Sequence, residues 1–413
     1  MMERSKCMNV PELRFKGFKK EWDFCSVGDF YYFKNGLNKG KEFFGFGTPI
    51  VNFTDVFNNR GLTSDILKGR VSLSKKEISS FEVKKGDIFF TRTSETLEEI
   101  GYPSVMLDES NDTVFSGFVL RGRAINKDPL SDLFKKYVFF TNNFRKEMIR
   151  KSSMTTRALT SGTSIKKMDF YFPENKMEQE KIGIFHSIIE KEIIFITTKI
   201  KLLKQIKTAS LQSMFPQEGE TVPKVRFKGF EEGWGKEKLG NLFKERIENN
   251  INGELLSVTI NNGIIKASDN GRFDNSNNDK SHYKVVKIGD IVYNTMRMWQ
   301  GASGYSAYEG IVSPAYTVII PQEQVFPLFF AYLFKTQSLI NRFRIHSQGL
   351  TTDTWNLKFA GFSIIEVCFP KSKLEQQKIA SYFCNLDNQI SLQTQRLEKL
   401  KQIKAACLDK MFV

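Results

Sequence analysis

Four short stretches of the chain place guanidinium, hydroxyl and amide side chains close together: residues 91–94, 152–167, 294–300 and 347–358. Arg presents two donors that match the acceptors of guanine, Asn and Gln complement adenine, and Ser or Thr hydroxyls bind base edges or phosphates more loosely. The chemistry that these side chains could perform is therefore hydrogen bonding to a nucleic acid. An ordinary polar surface loop is the alternative interpretation of each stretch.

Within these stretches, the side chains that we expect to contact DNA are Arg92, Thr93, Ser94, Thr155, Thr156, Arg157, Ser164, Lys166, Asn294, Arg297, Trp299, Gln300, Thr351, Thr352, Trp355 and Lys358. The two tryptophans stand near polar residues, where an indole can stack on a sugar or on a distorted base step. Their alternative place is the hydrophobic core. Residues 91–94 and 294–300 each follow a Gly-Asp-Ile segment, and residues 152–167 and 347–358 each precede the segment that leads to a predicted long helix. The two sets of stretches therefore occupy equivalent places in the chain.

The charge of the chain favours the same partner. Its 413 residues carry 61 Lys and Arg against 46 Asp and Glu, which gives a formal net charge of +15. Such a surplus indicates a nucleic acid first, then an acidic protein or a membrane surface. The longest apolar runs fall far short of the ~18–20 residues of a membrane span, and the N-terminus lacks the apolar segment of a signal peptide. We therefore expect a cytoplasmic protein without a membrane partner.

The chain contains an internal repeat. Four segments of the first copy return in the second in the same order. The matching pairs are VPELRFKGF (10–18) with VPKVRFKGF (222–230), KKGDIFF (84–90) with KIGDIVY (287–293), FPENKMEQEKI (172–182) with FPKSKLEQQKI (369–379), and LKQIKTASLQSMF (203–215) with LKQIKAACLDKMF (400–412). The spacing between matching segments changes only in the variable middles, so the chain consists of two copies of one unit.

Each copy has the same order of parts. A short Pro-Phe-Gly-Trp segment is followed by a domain with the short alternating runs typical of β-strands, and then by a long helix after a proline. We therefore predict an α+β fold with two tandem β-rich domains, each followed by a long helix. The predicted parts are a docking segment at 1–23, a first domain at 24–172, a first long helix at 173–216, a linker and repeated docking segment at 217–235, a second domain at 236–369 and a second long helix at 370–413.

Both predicted helices carry a heptad-like apolar stripe. Its members are Ile182, Phe185, Ile189, Ile193, Ile196, Ile200 and Leu203 in the first helix, and Ile379, Phe383, Leu386, Ile390, Leu397, Leu400 and Ile403 in the second. A lone helix of this length would expose its stripe to water, so we expect an antiparallel coiled coil with pseudo-two-fold symmetry. The alternative is that each helix packs on its own domain.

Further residues of the repeat are expected to hold the helix pair in place. Aromatic anchors are predicted at Phe15, Phe18, Trp22, Phe227, Phe230 and Trp234. Basic residues cluster near the end of each helix, among them Lys207 and Lys404. They indicate either a solvated face that the helix dipole favours, or contact with DNA phosphates or a partner protein.

This arrangement resembles the specificity (S) subunit of type I restriction-modification systems. The resemblance rests on the order of parts, on the helix entries PENKMEQEKI and PKSKLEQQKI, and on the helix ends LKQIK. The segments GDIFFTRTSETLEEIG (86–101) and GDIVYNTMRMWQGASG (289–304) are also similar to parts of the target-recognition domains of that family. The resemblance covers nearly the whole chain from Val10 onward.

The resemblance implies a function and a set of partners. Each domain would read one half of a split target in double-stranded DNA, and the helices would hold the domains apart and bind two methyltransferase (M) subunits. Two restriction (R) subunits would complete the assembly. The S subunit would have no cofactor of its own, since S-adenosylmethionine, ATP and Mg²⁺ would belong to its partners. Because the two copies differ in their middles, the half-sites should differ, and one added helical turn of about 5.4 Å should widen the gap by one to two base pairs.

Two other classes of protein are open alternatives: a self-contained DNA methyltransferase or nuclease, and a basic coiled-coil adaptor without DNA recognition. The chain lacks the Asn/Asp-Pro-Pro-aromatic motif that a methyltransferase of amino groups needs. Its Gly-x-Gly at 45–47 is a weak cofactor-binding signal, because Pro49 follows too soon for the helix that usually comes after such a turn. A nuclease set of Asp65, Glu82 and Lys84 is not shared by the repeat. Three histidines and five scattered cysteines form no recognisable triad or zinc motif, so we predict no catalytic or metal-binding residue.

Overall fold

The computed structural model describes residues 9–260, 262–270 and 279–413. The docking segment predicted at 1–23 therefore begins outside the described residues, and Cys7 lies outside them as well. None of the helices in the described ranges has the length and hydropathy that crossing a bilayer requires.

The described chain forms two compact units. Unit 1 consists of the described residues up to Thr197 together with Arg396–Val413, and unit 2 is Thr198–Gln395. The predicted domains at 24–172 and 236–369 each lie within one unit, whereas each long helix contributes residues to both.

The elements of unit 1 follow the chain up to the first long helix. Its strands are β1 (Asp23–Ser26), β2 (Tyr31–Asn35), β3 (Phe44–Val51), β4 (Gly61–Leu62), β5 (Arg70–Val71), β6 (Ile88–Thr91), β7 (Thr93–Ser94), β8 (Pro103–Met106), β9 (Val114–Phe115), β10 (Val119–Ala124), β11 (Ser153–Met154), β12 (Ala158–Leu159) and β13 (Asp169–Phe172). Its helices are α1 (Val27–Phe30), α2 (Phe53–Asn58), α3 (Lys75–Ser80), α4 (Asp132–Val138), α5 (Asn142–Lys151), α6 (Gly162–Lys166) and the first part of α7 (Lys176–Ser213).

The central sheet of unit 1 has the strand order β2-β10-β6-β8-β4. Its middle strand β6 reads IFFT and is buried along its whole length. Side chains alternate between the faces of a strand, and accordingly Phe90 packs into one hydrophobic cluster with Trp22 and Phe134, whereas Phe89 packs into another with Val51 and Phe115. A core on both faces thus fixes the strand that leads to the first predicted DNA-binding stretch.

A tight turn delivers the chain into β6. Gly86 has a φ of +84°, which glycine adopts without the steric cost of a side chain. The backbone N–H of Asp87 donates to Lys84 O (3.0 Å), and its carboxylate accepts from Lys84 N (2.8 Å). The same carboxylate pairs with Arg123 of β10, with Nε 2.7 Å from Oδ1. The Gly-Asp turn is therefore tied to the sheet that it enters.

Unit 2 repeats this order with fewer strands in its described residues. Its strands are β14 (Gly235–Lys238), β15 (Phe243–Glu245), β16 (Leu256–Thr259), β17 (Gly263–Lys266), β18 (Lys284–Val286), β19 (Ile291–Asn294), β20 (Ser303–Tyr305), β21 (Gly310–Val312), β22 (Tyr316–Pro321) and β23 (Glu366–Phe369). Its helices are the last part of α7, α8 (Leu239–Leu242), α9 (Pro327–Leu333), α10 (Gln337–Ile345), α11 (Phe359–Ser363) and the first part of α12 (Lys373–Lys410).

The central sheet of unit 2 has the order β15-β22-β19-β20, and a second Gly-Asp turn precedes β19. Gly289 has a φ of +97°. The Asp290 carboxylate accepts from Lys287 N (2.8 Å) and pairs with Arg246, whose Nε lies 2.8 Å from Oδ2. Arg246 follows β15, whereas the corresponding arginine of unit 1 lies on β10.

A buried ion pair fastens each lead segment to the start of a long helix. In unit 1, Arg14 Nε donates to Glu178 Oε1 (2.7 Å) and Nη2 donates to Oε2 (2.8 Å). The indole N–H of Trp22 points at the same carboxylate from 3.4 Å. One turn further on, Lys181 Nζ lies 5.2 Å from the ring centroid of Phe18. We call the contact of Arg and Trp with this Glu the clamp.

Unit 2 has the same clamp. Arg226 Nε and Nη2 donate to the two oxygens of Glu375 (2.6 and 2.8 Å), and Trp234 Nε1 lies 3.3 Å from Oε1. Lys378 Nζ lies 5.0 Å from the ring centroid of Phe230. The other predicted anchors also contact the long helices, since Phe15 packs on Phe185 and Phe227 packs on Tyr382, with ring centroids 6.1 and 6.4 Å apart.

The glutamine after the clamp glutamate closes the helix entry. Gln179 donates to Pro173 O (2.7 Å) and accepts from Ser131 N (2.6 Å). In unit 2, Gln376 donates to Pro370 O (2.9 Å) and accepts from Phe326 N (2.7 Å). The repeated Glu-Gln pair therefore joins the helix to the lead segment and to the loop before α4 or α9.

Within each unit, segments of the two long helices lie side by side. In unit 1, Glu190 contacts Lys404 (2.8 Å) and Glu192 contacts Arg396 (2.5 Å), so the numbers fall along α12 as they rise along α7. This order is antiparallel. In unit 2, Ser210 Oγ lies 2.9 Å from the Tyr382 hydroxyl.

Most of the predicted stripe faces inward. Buried members are Ile182, Ile189, Ile196, Ile200, Leu203, Ile379, Phe383, Leu386 and Leu397, and half-buried members are Phe185, Ile193, Ile390 and Leu400. Ile403 departs from the prediction, because 39% of it is exposed.

Candidate nucleic-acid interface

In unit 1 the two predicted DNA-binding stretches lie side by side. Strand β7 pairs antiparallel with β12, which sets Thr93 opposite Leu159. The backbone N–H of Thr160 donates to Arg92 O (3.1 Å), and Ser153 of β11 lies on the other side of Leu159. Because β7 follows β6 after a single residue, the Gly-Asp turn and the central sheet position this small sheet.

In unit 2 the corresponding stretches also meet. The backbone N–H of Leu357 donates to Thr295 O (2.9 Å). The rings of Trp299 and Trp355 pack edge to face, with centroids 5.1 Å apart and planes at 78°. Trp299 Nε1 donates to Met296 O (3.0 Å). Both indoles are half-buried, so they hold the two stretches together.

Each surface ends in a loop that is closed at the same place of the repeat. In unit 1, Ser153 pairs with Leu159, and in unit 2 Gln348 forms an isolated antiparallel bridge with Asn356. We call residues 153–159 loop 1 and residues 348–356 loop 2. Loop 1 contains Met-Thr-Thr-Arg and the longer loop 2 contains Leu-Thr-Thr-Asp.

The predicted residues of unit 1 differ in their access to solvent. Thr155, Thr156 and Arg157 are exposed in loop 1, whereas Arg92 and Thr93 are half-buried. Loop 1 therefore presents the most accessible of these side chains.

Three other predicted residues of unit 1 lie beside loop 1 in the sequence or in the sheet. Ser94 is only 7% exposed, and its hydroxyl accepts from Thr96 N (3.3 Å). Ser164 is half-buried and shares a hydrogen bond with Ser161 (3.0 Å) at the start of α6. Lys166, at the end of α6, is exposed. Ser94 and Ser164 thus have structural hydrogen bonds in this unit.

In unit 2 the exposed members of the prediction are Arg297, Thr351, Thr352 and Lys358, whereas Asn294 and Gln300 are half-buried. The Asn294 side-chain oxygen accepts from Met296 N (3.0 Å). That bond uses one of the two groups with which an asparagine would read adenine.

Five predicted cations make no ion pair or side-chain hydrogen bond with any described residue: Arg92, Arg157, Lys166, Arg297 and Lys358. In contrast, Arg123 and Arg246 are tied to the carboxylates of the Gly-Asp turns. Since an unpaired cation has its full bonding capacity available, these five side chains can bind phosphates or base acceptors.

Sequence reasoning missed the apolar residues of the two surfaces. Phe118, whose carbonyl accepts from Arg92 N, is 62% exposed, and Met154 is 50% exposed. In unit 2, Met296 is 42% exposed and Leu350 is fully exposed. The signal was present in the sequence, because an apolar residue followed by two threonines occurs at the tip of both loops.

Comparison with known proteins assigns the second copy. Residues 231–402 match the model of the type I restriction modification DNA specificity domain. This part of the chain is similar to that family. The resemblance inferred from the repeat is thereby confirmed for this part of the chain. No curated protein shows significant sequence similarity to the chain.

Solved structures extend the likeness to the rest of the fold. The chain is similar to the S subunit of a type I restriction-modification system from M. genitalium, with 14% identity, a TM-score of 0.61, and coverage of 98% of this chain and 99% of that one. At this identity the likeness concerns the fold, and it confirms the α+β class. Weaker matches are an HsdS subunit from Thermoanaerobacter tengcongensis (13% identity, 95% and 96% covered, TM-score 0.47) and a chain from a study of complex assembly in the type I R-M system (13%, 94% and 97%, TM-score 0.49).

Some basic residues near the ends of the long helices contact other described residues. Lys404 binds Glu190 (2.8 Å), which also accepts from the Tyr137 hydroxyl (2.8 Å). Burial raises the pKa of Glu190, but the hydrogen bond and charge of Lys404 outweigh it and lower that pKa.

Unit 2, which holds most of the specificity domain, repeats this contact. Asp387 accepts from Lys207 (2.5 Å) and from the Tyr332 hydroxyl (3.0 Å). The final lysine of each LKQIK segment is therefore a helix-pairing residue. Other exposed lysines without an ion pair to a described residue are Lys199, Lys201, Lys204 and Lys399.

No group of three or more His, Cys, Asp or Glu within the described ranges could hold a metal ion. The side chains of Glu82 and Lys84, two members of the discounted nuclease set, pair with each other (3.1 Å). His186 is fully buried among Tyr137, Phe185 and other aromatic rings, and burial lowers its pKa to about 4.

Proposed function

We propose that the chain is a DNA specificity subunit and that it reads an asymmetric, bipartite target in double-stranded DNA, with one half-site for each unit. One observation carries the proposal. The same backbone hydrogen bond, from Thr160 to Arg92 in unit 1 and from Leu357 to Thr295 in unit 2, joins the two predicted stretches of each copy. The side chains that these junctions present differ between the copies.

Repetition and divergence have different consequences for the target. Two modules with the same framework support binding at two similar positions on a duplex. Modules with different donors and acceptors support unlike half-sites, since each base pair shows its own pattern in the major groove. The long helices would then set the gap, as a pair of rods about 57 Å long at 1.5 Å per residue.

The partners belong to the same proposal. The subunit would direct two methyltransferase subunits and, in the complete complex, two restriction subunits, and it would act in the cytoplasm, where the DNA is. It would perform no chemistry itself, so S-adenosylmethionine, ATP and Mg²⁺ would be bound by its partners. Exposed lysines of the helices that form no ion pair with a described residue, such as Lys201 and Lys399, are available for a partner surface or for DNA phosphates.

Mapping methylated adenines tests the proposal. The chain would be expressed with its cognate methyltransferase subunit, and the modified positions would be determined across the host genome. We expect a split motif with two unlike halves and a constant gap. A continuous palindrome, or methylation that is unchanged when this gene is deleted, would refute the proposal.

A domain exchange and an activity assay of the isolated chain complete this experiment. Replacing residues 24–170 by those of another such subunit should change one half-motif and leave the other intact. A change in both halves would rule out independent modules. The isolated chain, incubated with DNA, S-adenosylmethionine and Mg²⁺, should neither methylate nor cleave, and any turnover would favour the self-contained enzyme instead.

A further inference from the structure

Loops 1 and 2 carry opposite charges at corresponding tips. We infer, on the basis of the proposed function, that Arg157 and Asp353 determine one base each in the two half-sites. Arg157 selects a guanine, and Asp353 selects a cytosine on the strand that its loop faces.

The position of both residues follows from how the loops are closed. The pairs Ser153–Leu159 and Gln348–Asn356 stand at equivalent places of the repeat. Between them, each loop contains an apolar residue, two threonines and then the charged residue. The two copies thus share the shape of the tip and differ in the group that a bound duplex would meet.

Arg157 is free to bind a ligand. It is exposed, and only its backbone oxygen takes part in the loop, where it accepts from Thr155 N (3.2 Å). A guanidinium can donate two parallel hydrogen bonds to O6 and N7 of guanine, which is the most frequent specific contact of proteins with DNA.

Asp353 is not needed for the loop that holds it. The turn is closed by its neighbours, since Thr351 N donates to Thr354 Oγ1 (3.1 Å) and Thr354 Oγ1 donates to Thr351 O (3.0 Å). The Asp353 carboxylate is exposed and has no partner among the described residues. A carboxylate on a DNA-facing loop is repelled by phosphates, so it favours binding only where it accepts a hydrogen bond from a base.

The major-groove edges decide which base that is. Cytosine presents only the N4 amino donor, whereas guanine presents two acceptors and thymine an acceptor with a methyl group. Adenine places an acceptor beside its donor. A lone carboxylate therefore favours cytosine and disfavours guanine, which is the base that Arg157 favours.

The neighbours of both residues favour a place inside a groove. Leu350 is fully exposed and Met154 is 50% exposed. Such side chains gain from leaving water when they meet a thymine methyl group or the wall of a groove, and they gain nothing beside solvated phosphates. A loop tip with an apolar residue three positions before the charged one is therefore suited to enter a groove.

The test replaces each charge by an amide that reads another base. Arg157→Gln and Asp353→Asn would each be introduced into the full chain, which is expressed with its cognate methyltransferase subunit before methylated adenines are mapped. Gln and Asn pair with adenine. We expect Arg157→Gln to convert one guanine of one half-motif towards adenine, and Asp353→Asn to convert one cytosine of the other half-motif towards adenine. The preference for the original base should fall about tenfold or more.

Matched controls lie outside the loops. Arg150→Ala removes an exposed arginine of α5, and Glu309→Ala removes an exposed carboxylate of unit 2. Neither should change the motif. Should a variant abolish methylation, the binding of its complex to duplexes with each of the four bases at every motif position replaces the genomic readout.

The outcomes separate the inference from the function on which it rests. An unchanged motif, a change in both halves, or an equal loss of affinity for all four bases would overturn the inference, because a phosphate contact loses affinity without losing preference. A wild-type complex that produces no bipartite motif would instead refute the proposed function.

Discussion

In unit 1, Arg14 and Trp22 close on Glu178, and in unit 2, Arg226 and Trp234 close on Glu375 through the same atoms. At the tips of loops 1 and 2 the two units differ in charge. The two copies therefore share the contacts that position a long helix. They differ in side chains that face outward at the loop tips.

The Gly-Asp turns are only partly the same in the two units. Asp87 and Asp290 accept the same backbone N–H bond, but their arginines come from different strands. A buried carboxylate without its cation is costly, so the charge must be matched. The position in the sheet from which the arginine comes can differ between the units.

One buried position distinguishes the two helix pairs. His186 of α7 occupies the place that Phe383 has in α12. Both His186 and Phe383 pack on the tyrosine of the preceding helix, Tyr137 or Tyr332, with ring centroids 5.0 and 5.1 Å apart. Neither ring nitrogen of His186 has a hydrogen-bond partner among the described residues. The two pairs should therefore respond differently to acid.

Breaking the clamp should have the largest effect. Glu178→Ala leaves the guanidinium of Arg14 with an unpaired charge that is 11% exposed. Removing one partner of a buried pair costs about 3–5 kcal/mol. We expect Glu178→Ala and Glu375→Ala to lower the free energy of unfolding by similar amounts, as measured by denaturant titration.

An exposed pair of the same unit serves as the control. Lys20 and Glu174 are 70% and 63% exposed, and Glu174→Ala should leave the free energy of unfolding nearly unchanged, because water screens an exposed pair. A large cost of Glu375→Ala without one of Glu178→Ala would show that the clamps are not equivalent.

The sequence allowed the helices, the lead segments and the anchors to be located because two copies keep the same letters at the same spacing. It did not reveal which contacts these repeated residues make. The role of Glu178 depends on Arg14, which is 164 residues away. The same holds for Lys207, whose partner Asp387 is 180 residues away. Periodicity within a helix carries no information on such pairs.

Two expectations for the candidate site, on Ser94 and on Leu350, could have been sharpened from the neighbouring residues in the sequence. Thr93 and Ser94 are neighbours in a strand, so only one of them can face outward, and Ser94 is the buried one. The exposure of Leu350 runs against the usual burial of leucine. Only the shared tripeptide in two loops distinguishes it from a core residue.

Exchanging the buried rings of the two helix pairs tests their difference in acid response. Burial is the main reason that the pKa of His186 is lowered from 6.5 to about 4, with Glu190 and Lys404 as the nearby charges. Between these values the unfolded chain binds a proton that the folded chain does not, so stability falls as the pH falls. From pH 7 to pH 5 the loss should be about 2 kcal/mol.

His186→Phe should remove that loss, and Phe383→His should introduce a similar one in unit 2. Denaturant titrations at pH 7 and pH 5 measure both. The lowered pKa of Glu190 does not interfere, because its contribution is lost only as the pH falls below its ordinary value of 4.5. An equal pH dependence of the wild type and His186→Phe would show that the folded protein admits the proton.

The smallest effect concerns the Gly-Asp turns, where the same substitution should have unequal costs. A side chain at either glycine is strained by about 1–2 kcal/mol because of its positive φ. A Cβ at Gly86 would also lie 3.2 Å from both Asp132 Oδ1 and Lys135 Nζ, whereas a Cβ at Gly289 would have no atom of a described residue within 4 Å. Lys135 is 1% exposed and donates to Gly86 O (2.7 Å), so it has little room to move.

Gly86→Ala should therefore lower the free energy of unfolding by about 1 kcal/mol more than Gly289→Ala. The pair of variants is compared by denaturant titration at neutral pH. Equal costs would mean that the Lys135 side chain yields without loss. The turn of unit 1 would then accept a side chain as readily as that of unit 2. In that case the buried lysine would not restrict the conformation of the turn that leads into β6 and on to Arg92.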